Sequence, residues 1–256
     1  MHFENDTREG TQEGFSTIIL AAGKGKRMNS DLAKVLHLIC GVPMLGYSVA
    51  AARAAGSRRI VVVIGHQAER IRETFRDDGL IFVEQRTQLG TGHAVLQARD
   101  IFDGYDGTIV ILCGDVPLIR PETIRSLYEG HLREKATVTV LTTIPAEPAG
   151  YGRVVKAKDG SVLKIVEHKD ATAEERKVRE INTGIYCVKS RFLFEAVGAL
   201  GNKNAQGEYY LTDIVEFARE RDLHVTSSLA PDPVEVMGIN SPEELEIACR
   251  RMETSR

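Results

Sequence analysis

A chain of 256 residues, 43% of them hydrophobic, can bury a sizeable core and fits one large α/β domain or a domain with a subdomain better than two equal domains. Its formal net charge of -3, with acids and bases mixed along the chain, gives no general attraction to nucleic acid or to an anionic membrane, so any anion site must be local. Cys40, Cys113, Cys187 and Cys249 lie far apart with no C-x-x-C pair, and no apolar run approaches the roughly 18 residues of a membrane span. A reduced, cytoplasmic protein is expected, without a zinc knuckle or disulfide framework. Residues 1–14 are polar and acidic where a signal peptide is basic and then apolar, and are expected to form a disordered tail.

The first element is the apolar, β-branched run Ile18-Ile19-Leu20, a buried strand by composition. It leads into Ala21-Ala22-Gly23-Lys24-Gly25-Lys26-Arg27-Met28 and on to Lys34. Small residues let a backbone turn sharply and approach a ligand, and four cations in one excursion repel one another unless solvent or an anion neutralises them. A polyphosphate is the natural counter-charge; a tight turn flanked by solvated lysines would give the same letters. The loop lacks the Lys-Ser/Thr ending of a Walker A loop, and Arg27-Met28 stand where a dinucleotide fingerprint needs a glycine. Gly41-Val42-Pro43 suits a turn with proline opening a helix over Met44–Ala55.

Ile60-Val61-Val62-Val63-Ile64 has the uniform apolarity of a strand buried on both faces of a parallel sheet. A helix over Ala68–Arg76, a strand over Leu80–Val83, a helix over Thr91–Ile101 and a strand over Thr108–Leu112 continue the alternation, followed by a helix over Glu122–Arg133. This pattern predicts a doubly wound, mostly parallel, Rossmann-like α/β sheet in three layers. Thereafter Thr137–Thr143, Arg153–Val155, Val162–Val166 and Ile185–Val188 are short strands separated by turns, expected to be mixed or antiparallel additions. A helix is expected to reach Glu220, with last strands over Val225–Ser228 and Val234–Ile239. Ser241-Pro242-Glu243-Glu244 is a capping box opening a final helix to about Met252.

Ligands of such sheets bind at the carboxyl ends of the strands. Beyond the first loop, Gln85 closes the third strand ahead of Gly90-Thr91-Gly92, where a glutamine offers the donor and acceptor that a pyrimidine edge needs and glycines permit close approach. An ordinary glycine-rich helix entry is the competing reading. Gly114-Asp115 close the fourth strand, and Asp115 either binds Mg²⁺ beside a triphosphate or serves as a turn residue before Pro117. Asn240 offers the same cation a neutral oxygen, or is a turn residue ahead of Ser241.

Leu20-Ala21-Ala22-Gly23, Gly25, Arg27-Met28 and Lys34 occur in one order with Gln85 to Gly92, Gly114-Asp115-Val116-Pro117-Leu118 and Gly150-Tyr151-Gly152-Arg153. Glu167-His168-Lys169-Asp170-Ala171, Glu180-Ile181-Asn182-Thr183-Gly184, Gln206 to Asp213 and Gly238-Ile239-Asn240 follow. Together these motifs closely resemble the N-terminal uridylyltransferase half of the bacterial bifunctional enzyme that makes UDP-N-acetylglucosamine. The resemblance implies a nucleotide-diphospho-sugar transferase fold and transfer of uridylate from UTP to N-acetylglucosamine-1-phosphate with Mg²⁺ as cofactor, in the supply of cell-wall precursors. It implies that Leu20, Ala21, Ala22, Gly23, Gln85, Gly90 and Thr91 hold uridine, with Arg27 and Lys34 on the phosphates. Asp115, next to Gly114, and Asn240 would be the metal pair, and Gly152, Glu167 and Asn182 would hold the N-acetylglucosamine moiety.

Arg27, Lys34 and Asp115 are the expected catalytic residues. The nucleotide-binding part would span about 15–120, the sugar-binding part about 121–240 and the final helix 241–252, all in one domain over 15–256. Expected partners are UTP and a sugar-1-phosphate, not nucleic acid or membrane. The family's hexapeptide-repeat β-helix half has no counterpart in this sequence, so a stand-alone uridylyltransferase or an isolated domain is expected, without acetyl transfer. Cys113 departs from the family's usual residue before Gly-Asp. Two other readings stay open: a pyrimidine nucleotidyltransferase acting on another sugar or polyol phosphate, and a nucleotide-sugar-binding regulatory protein without turnover.

Overall fold

The computed structural model describes residues 14–254, so the expected tail lies, apart from Gly14, outside the described residues. The chain runs β1 (Phe15–Ala21), the paired strands β2 (Leu38–Ile39) and β3 (Val42–Pro43), α1 (Met44–Ala54), β4 (Ile60–Ile64), α2 (Ala68–Thr74), β5 (Ile81–Glu84), α3 (Thr91–Leu96), β6 (Thr108–Cys113) and α4 (Pro121–Arg133). It continues through β7 (Val138–Thr143), β8 (Arg153–Lys156), β9 (Val162–Val166), β10 (Ile181–Lys189), α5 (Ser190–Ala199), α6 (Asp213–Arg219), β11 (Val225–Leu229) and α7 (Pro242–Thr254).

The main sheet has the order β11-β7-β10-β6-β1-β4-β5. β1 pairs in parallel with β4 and β6, and β4 with β5, while β10 enters antiparallel between β6 and β7. β8 and β9 extend from β10 as an antiparallel pair. Successive side chains of a strand alternate faces, and the central strands are apolar on both. Ile19, Val62, Ile64, Val110 and Leu112 pack with α1, α2 and α4, whereas Ile18, Val61, Val63, Ile109 and Ile111 pack with α3, α5 and α6. Three layers therefore follow from two cores, one on each side of the sheet.

The helix expected over Thr91–Ile101 ends at Leu96, the strand expected over Ile185–Val188 runs Ile181–Lys189, and two further segments differ in kind. Val234–Ile239 is not a strand: the Asp232 carboxylate accepts a hydrogen bond from the Val234 N–H at 3.0 Å, Pro233 follows it, and the chain closes into a 3-10 turn over Pro233–Val236. Val236 and Ile239 are buried from a turn and a loop, with Ile239 packed against Ala248 of α7. The helix α5 forms where no element is expected, because Phe192, Leu193, Phe194, Ala196 and Val197 are nearly continuous in sequence and hide the helical period. Ser190 fastens its start by accepting from the Gly107 N–H and donating to the Tyr105 carbonyl.

His131 on α4 is 1% exposed and shares a 2.9 Å hydrogen bond with Thr139 on β7. Burial, with Lys189 nearby, pulls its pKa down to about 4. A base whose folded pKa is lowered contributes stability in full above the unfolded value near 6.5 and loses it as pH falls towards about 4, at up to about 1.4 kcal/mol per pH unit. Urea midpoints measured from pH 7 to 4.5 should fall for the native chain and fall less steeply for His131→Gln.

Candidate active site

The loop after β1 is built around Lys34. Gly25 sits at φ 66°, and a Cβ there would lie 2.6 Å from the Cβ of Lys34, so the loop closes over the lysine stem only with glycine at that position. Met28, Val35 and Leu36 are buried and pin the loop at both ends. Gln67, which precedes α2, accepts from the Ala33 N–H and donates to the Asp31 carbonyl, both at 2.9 Å. Lys34 is thereby held at 9% exposure.

The Lys34 ammonium donates to Asp115 Oδ2 and, at 2.7 Å, to Asn240 Oδ1. Asp115 stands in the turn after β6, which Ser48 of α1 braces by donating to the Cys113 carbonyl at 3.1 Å. Its backbone carbonyl accepts from the Ile239 N–H at 2.9 Å, tying that turn to the segment that carries Asn240. Asn240 donates its side-chain amide to the Gly238 carbonyl at 2.9 Å and its backbone N–H to the Glu244 carboxylate. The Ser241 hydroxyl accepts from the Glu244 N–H at 3.3 Å, so the expected cap forms and also orients the asparagine.

A cavity of about 360 Å³ opens here, lined by Leu20, Ala21, Gly23, Arg27, Lys34 and Asp115, with Thr91, Cys113 and Asn240 also on its wall. A second, of about 490 Å³, shares Arg27, Cys113, Asp115 and Asn240 and extends past Glu147, Tyr151 and Thr183. Arg27 is exposed at the mouth of both. Lys24 is exposed but is not part of either wall.

The other expected residues divide into two groups. Ala22 turns its carbonyl to the His66 N–H at 3.2 Å and stays off the cavity wall. Gly114 donates its N–H to the Leu20 carbonyl at 2.9 Å. Gln85 is buried, its amide donating to the Gly90 carbonyl and meeting His93 Nδ1, each at 3.0 Å, so it shapes the Gly90-Thr91 corner. Gly90 has φ 113°, and a Cβ there would sit 2.6 Å from the Tyr209 carbonyl oxygen.

Gly152, Glu167 and Asn182 come together apart from that corner. A Cβ on Gly152 would be 3.5 Å from both carboxylate oxygens of Glu167, and the Asn182 N–H donates to the Gly152 carbonyl at 2.9 Å. Asn182 Oδ1 accepts from the Gly184 N–H at 3.0 Å. Glu167 receives one long bond, 3.4 Å, from Thr212. Burial raises its pKa, with the Asp213, Asp170 and Glu208 carboxylates adding to the effect.

Several residues here carry no role in the sequence-based reading, including Tyr151, Thr183, Thr212, Asp213 and Tyr186. Most lie inside the motifs quoted above, and that membership is the signal that could have found them. Cys113 donates its thiol to the Gly184 carbonyl at 3.5 Å, and burial followed by the charge of Asp115 pushes its pKa up, which keeps it a protonated wall residue. Among the described residues there is no group of three or more His, Cys, Asp or Glu side chains with metal-binding geometry, and no helix is long and apolar enough to cross a membrane.

The MobA-like NTP transferase domain profile matches residues 17–184. The chain is 55% identical over 236 residues to the bifunctional protein GlmU of Geobacter metallireducens, covering 92% of this chain and 50% of that protein. It is 44% identical over 239 residues to GlmU of Desulfotalea psychrophila, covering 93% and 70% respectively. The chain thus spans about half the length of the first of these relatives, and the resemblance drawn from its motifs is borne out. A UDP-glucose pyrophosphorylase structure complexed with UDP-glucose superimposes with a TM-score of 0.74 at 18% identity, over 95% of this chain and all of that one. That likeness bears out the mostly parallel, mixed α/β fold.

Asp213, beside Glu167, has its pKa raised to about 6 by burial and by Glu216 and Asp170. An acid whose folded pKa is raised contributes stability in full below its unfolded value, near 3.8, and loses it as pH rises through about 6. Asp213→Asn should therefore gain stability relative to the native chain as pH is raised from 4 to 7, as read from paired thermal melts.

Proposed function

The chain belongs to the MobA-like NTP transferase family, and on that premise we propose that it transfers the uridylyl group of UTP to N-acetylglucosamine-1-phosphate, giving UDP-N-acetylglucosamine and pyrophosphate. The observation that carries this reading is the Lys34 ammonium lying between Asp115 and Asn240 at the head of a cavity walled by the glycine-lysine loop. An oxygen of the sugar phosphate attacks the α-phosphorus of UTP, a P–O bond forms, and the bond to the β-phosphate breaks to release pyrophosphate. No protein nucleophile is required, because the attacking phosphate is already anionic. The protein has to align two anions and offset their repulsion, which is work of positioning and electrostatics.

In this reading the backbone and small side chains of Leu20 to Gly23, with the Gln85-Gly90-Thr91 corner, hold the uridine. Arg27 at the mouth and Lys34 on the wall offset charge on the triphosphate and on the departing pyrophosphate. Two oxygen donors of different charge, Asp115 and Asn240, already converge on one cationic group, a set that suits Mg²⁺, which takes few protein ligands and completes its shell with phosphate and water. Those two residues would hold the ion, which when bound supplies charge neutralisation between the phosphates. Gly152, Glu167 and Asn182 hold the sugar.

Residues 15–120 then form the nucleotide part and residues 121–240 the sugar part of one domain, with the final helix over 241–252. A cytoplasmic location, where UTP is available, suits this reading.

Pyrophosphate release by the purified chain, measured with UTP and CTP against N-acetylglucosamine-1-phosphate, glucosamine-1-phosphate, glucose-1-phosphate and a polyol phosphate, tests the proposal. Turnover is expected with UTP, N-acetylglucosamine-1-phosphate and Mg²⁺, and its loss on chelation. Nucleotide binding without pyrophosphate under every condition would leave only a binding protein. Asp115→Ala and Lys34→Ala should each lower turnover by about 10²- to 10³-fold, the range for removing one electrostatic stabiliser, with an unchanged far-UV CD spectrum. Near-native turnover by either variant would take that residue out of the mechanism.

A further inference from the structure

The Gln85 amide has its orientation fixed by two acceptors. Gln85 is 3% exposed, just past the end of β5, and its Nε2 donates to the Gly90 carbonyl and meets His93 Nδ1 of α3, each at 3.0 Å. A backbone carbonyl can only accept, so the Gly90 bond decides which end of the amide is nitrogen. The corner that carries this carbonyl is itself held, because the Gly92 N–H donates to the Tyr209 carbonyl and the Tyr209 N–H to the Leu89 carbonyl, both at 2.8 Å. Both hydrogens of Nε2 are then committed. The amide oxygen, Oε1, accepts from none of the described residues and is not sealed inside the fold.

The same geometry fixes the histidine. A neutral imidazole has one N–H, so a ring that accepts from Gln85 at Nδ1 carries its proton on Nε2. That nitrogen faces the Gln97 amide nitrogen at 3.2 Å, which also donates to the His93 carbonyl at 3.0 Å. Two donors cannot pair, and Gln97 is the one to yield: half-buried, it can turn its oxygen to the ring. Turning Gln85 instead would set its oxygen against the Gly90 carbonyl in a buried place, the costlier error. Burial lowers the His93 pKa, which keeps the ring neutral at pH 7.

Resting on the uridylyltransferase reading, we propose that His93 is a positioning residue for the choice of base: by accepting from Gln85 it holds the amide with its oxygen turned to the nucleotide, opposite N3 of the pyrimidine. Uracil carries a proton at N3 and cytosine a lone pair, so an oxygen held there favours UTP over CTP. Without the acceptor at Nδ1 the amide keeps only its bond to Gly90, and the preference weakens.

The test combines NMR of the ¹⁵N-labelled chain with two variants. At pH 7 the His93 ring should show Nδ1 unprotonated and Nε2 protonated, and a proton on Nδ1 would overturn the proposal. His93→Phe keeps a ring beside Tyr209, whose centroid lies 6.4 Å away, and removes the acceptor. His93→Asn restores an acceptor near the place of Nδ1. By calorimetry with UDP and CDP, His93→Phe should lose about tenfold of the preference for UDP, the worth of one hydrogen bond, and His93→Asn should recover most of it. KM for UTP should rise in His93→Phe while kcat and KM for the sugar phosphate stay native. An unchanged preference in a folded His93→Phe would overturn the proposal, and so would equal losses of UDP and CDP affinity, which would make the ring a packing element. Should His93→Phe not fold, the protonation seen by NMR and the preference of His93→Asn still decide the matter. A native chain that binds UDP no better than CDP and releases no pyrophosphate would show instead that the underlying reading fails, and that result is visible without a variant.

Discussion

One ammonium joins three distant parts of the chain. Lys34 comes from the loop after β1, Asp115 from the turn after β6 and Asn240 from the entry to α7, and the lysine donates to both oxygens. The side chains of Lys34 and Asp115 are 11% and 27% exposed, between a surface pair worth at most about 1 kcal/mol and a buried pair whose desolvation offsets its attraction. Apolar residues of similar volume would stabilise the fold at least as well, so stability alone does not account for the arrangement. What it does supply is a converged set of donors, held by the Gly25 turn, the Ser48 brace and the Glu244 cap.

The sheet decides what these donors face. Because β1, β4 and β6 run parallel, their carboxyl ends share one edge, which is where the glycine-lysine loop and Asp115 emerge. β10 runs the other way beside β6, so its beginning, with Asn182, arrives at that same edge. β7 is antiparallel to β10, and its end also reaches the edge, feeding the segment with Glu147 and Tyr151 that walls the second cavity. A wholly parallel sheet would send the start of that strand to the opposite side. The antiparallel insertion is therefore what brings Asn182 and the segment with Glu147 and Tyr151 to the edge that carries the glycine-lysine loop.

Much of this was legible because local chemistry and the fold agree. Ile60–Ile64 is apolar at every position and forms a central strand over the same residues, and Ser241-Pro242 opens a helix as its capping box requires. Lys34 and Asp115 could be singled out because strand ends bind ligands, although no spacing rule joins positions 34, 115 and 240. What escaped was decided by tertiary context. Val234–Ile239 has strand composition, yet the Asp232 side chain and Pro233 close a turn first, and α5 is too apolar for its period to show. A break in the register of β10, between Asn182 and Tyr186, arises from pairing with β7 and leaves no mark in composition beyond Gly184.

Two regions of the molecule are electrically unlike, and under the proposed function the difference bears on how the acceptor is selected. In one, Arg27 and Lys34 would meet the phosphate, and a phosphate is common to every sugar-1-phosphate, so that region would not choose among them. In the other, a separate hollow of about 390 Å³ that Asp170 and Tyr210 also line, Glu167 and Asp213 have pKa values raised by burial, so these groups are costly to keep. Under-satisfied buried groups discriminate strongly, because a ligand that fails to pair them leaves their desolvation cost in place. Under the proposed function, catalytic power would belong to the cationic region and acceptor choice to the carboxylate region. On the wall of the first region, Cys113 has its pKa raised by burial and by the charge of Asp115, which disfavours the nucleophilic thiolate.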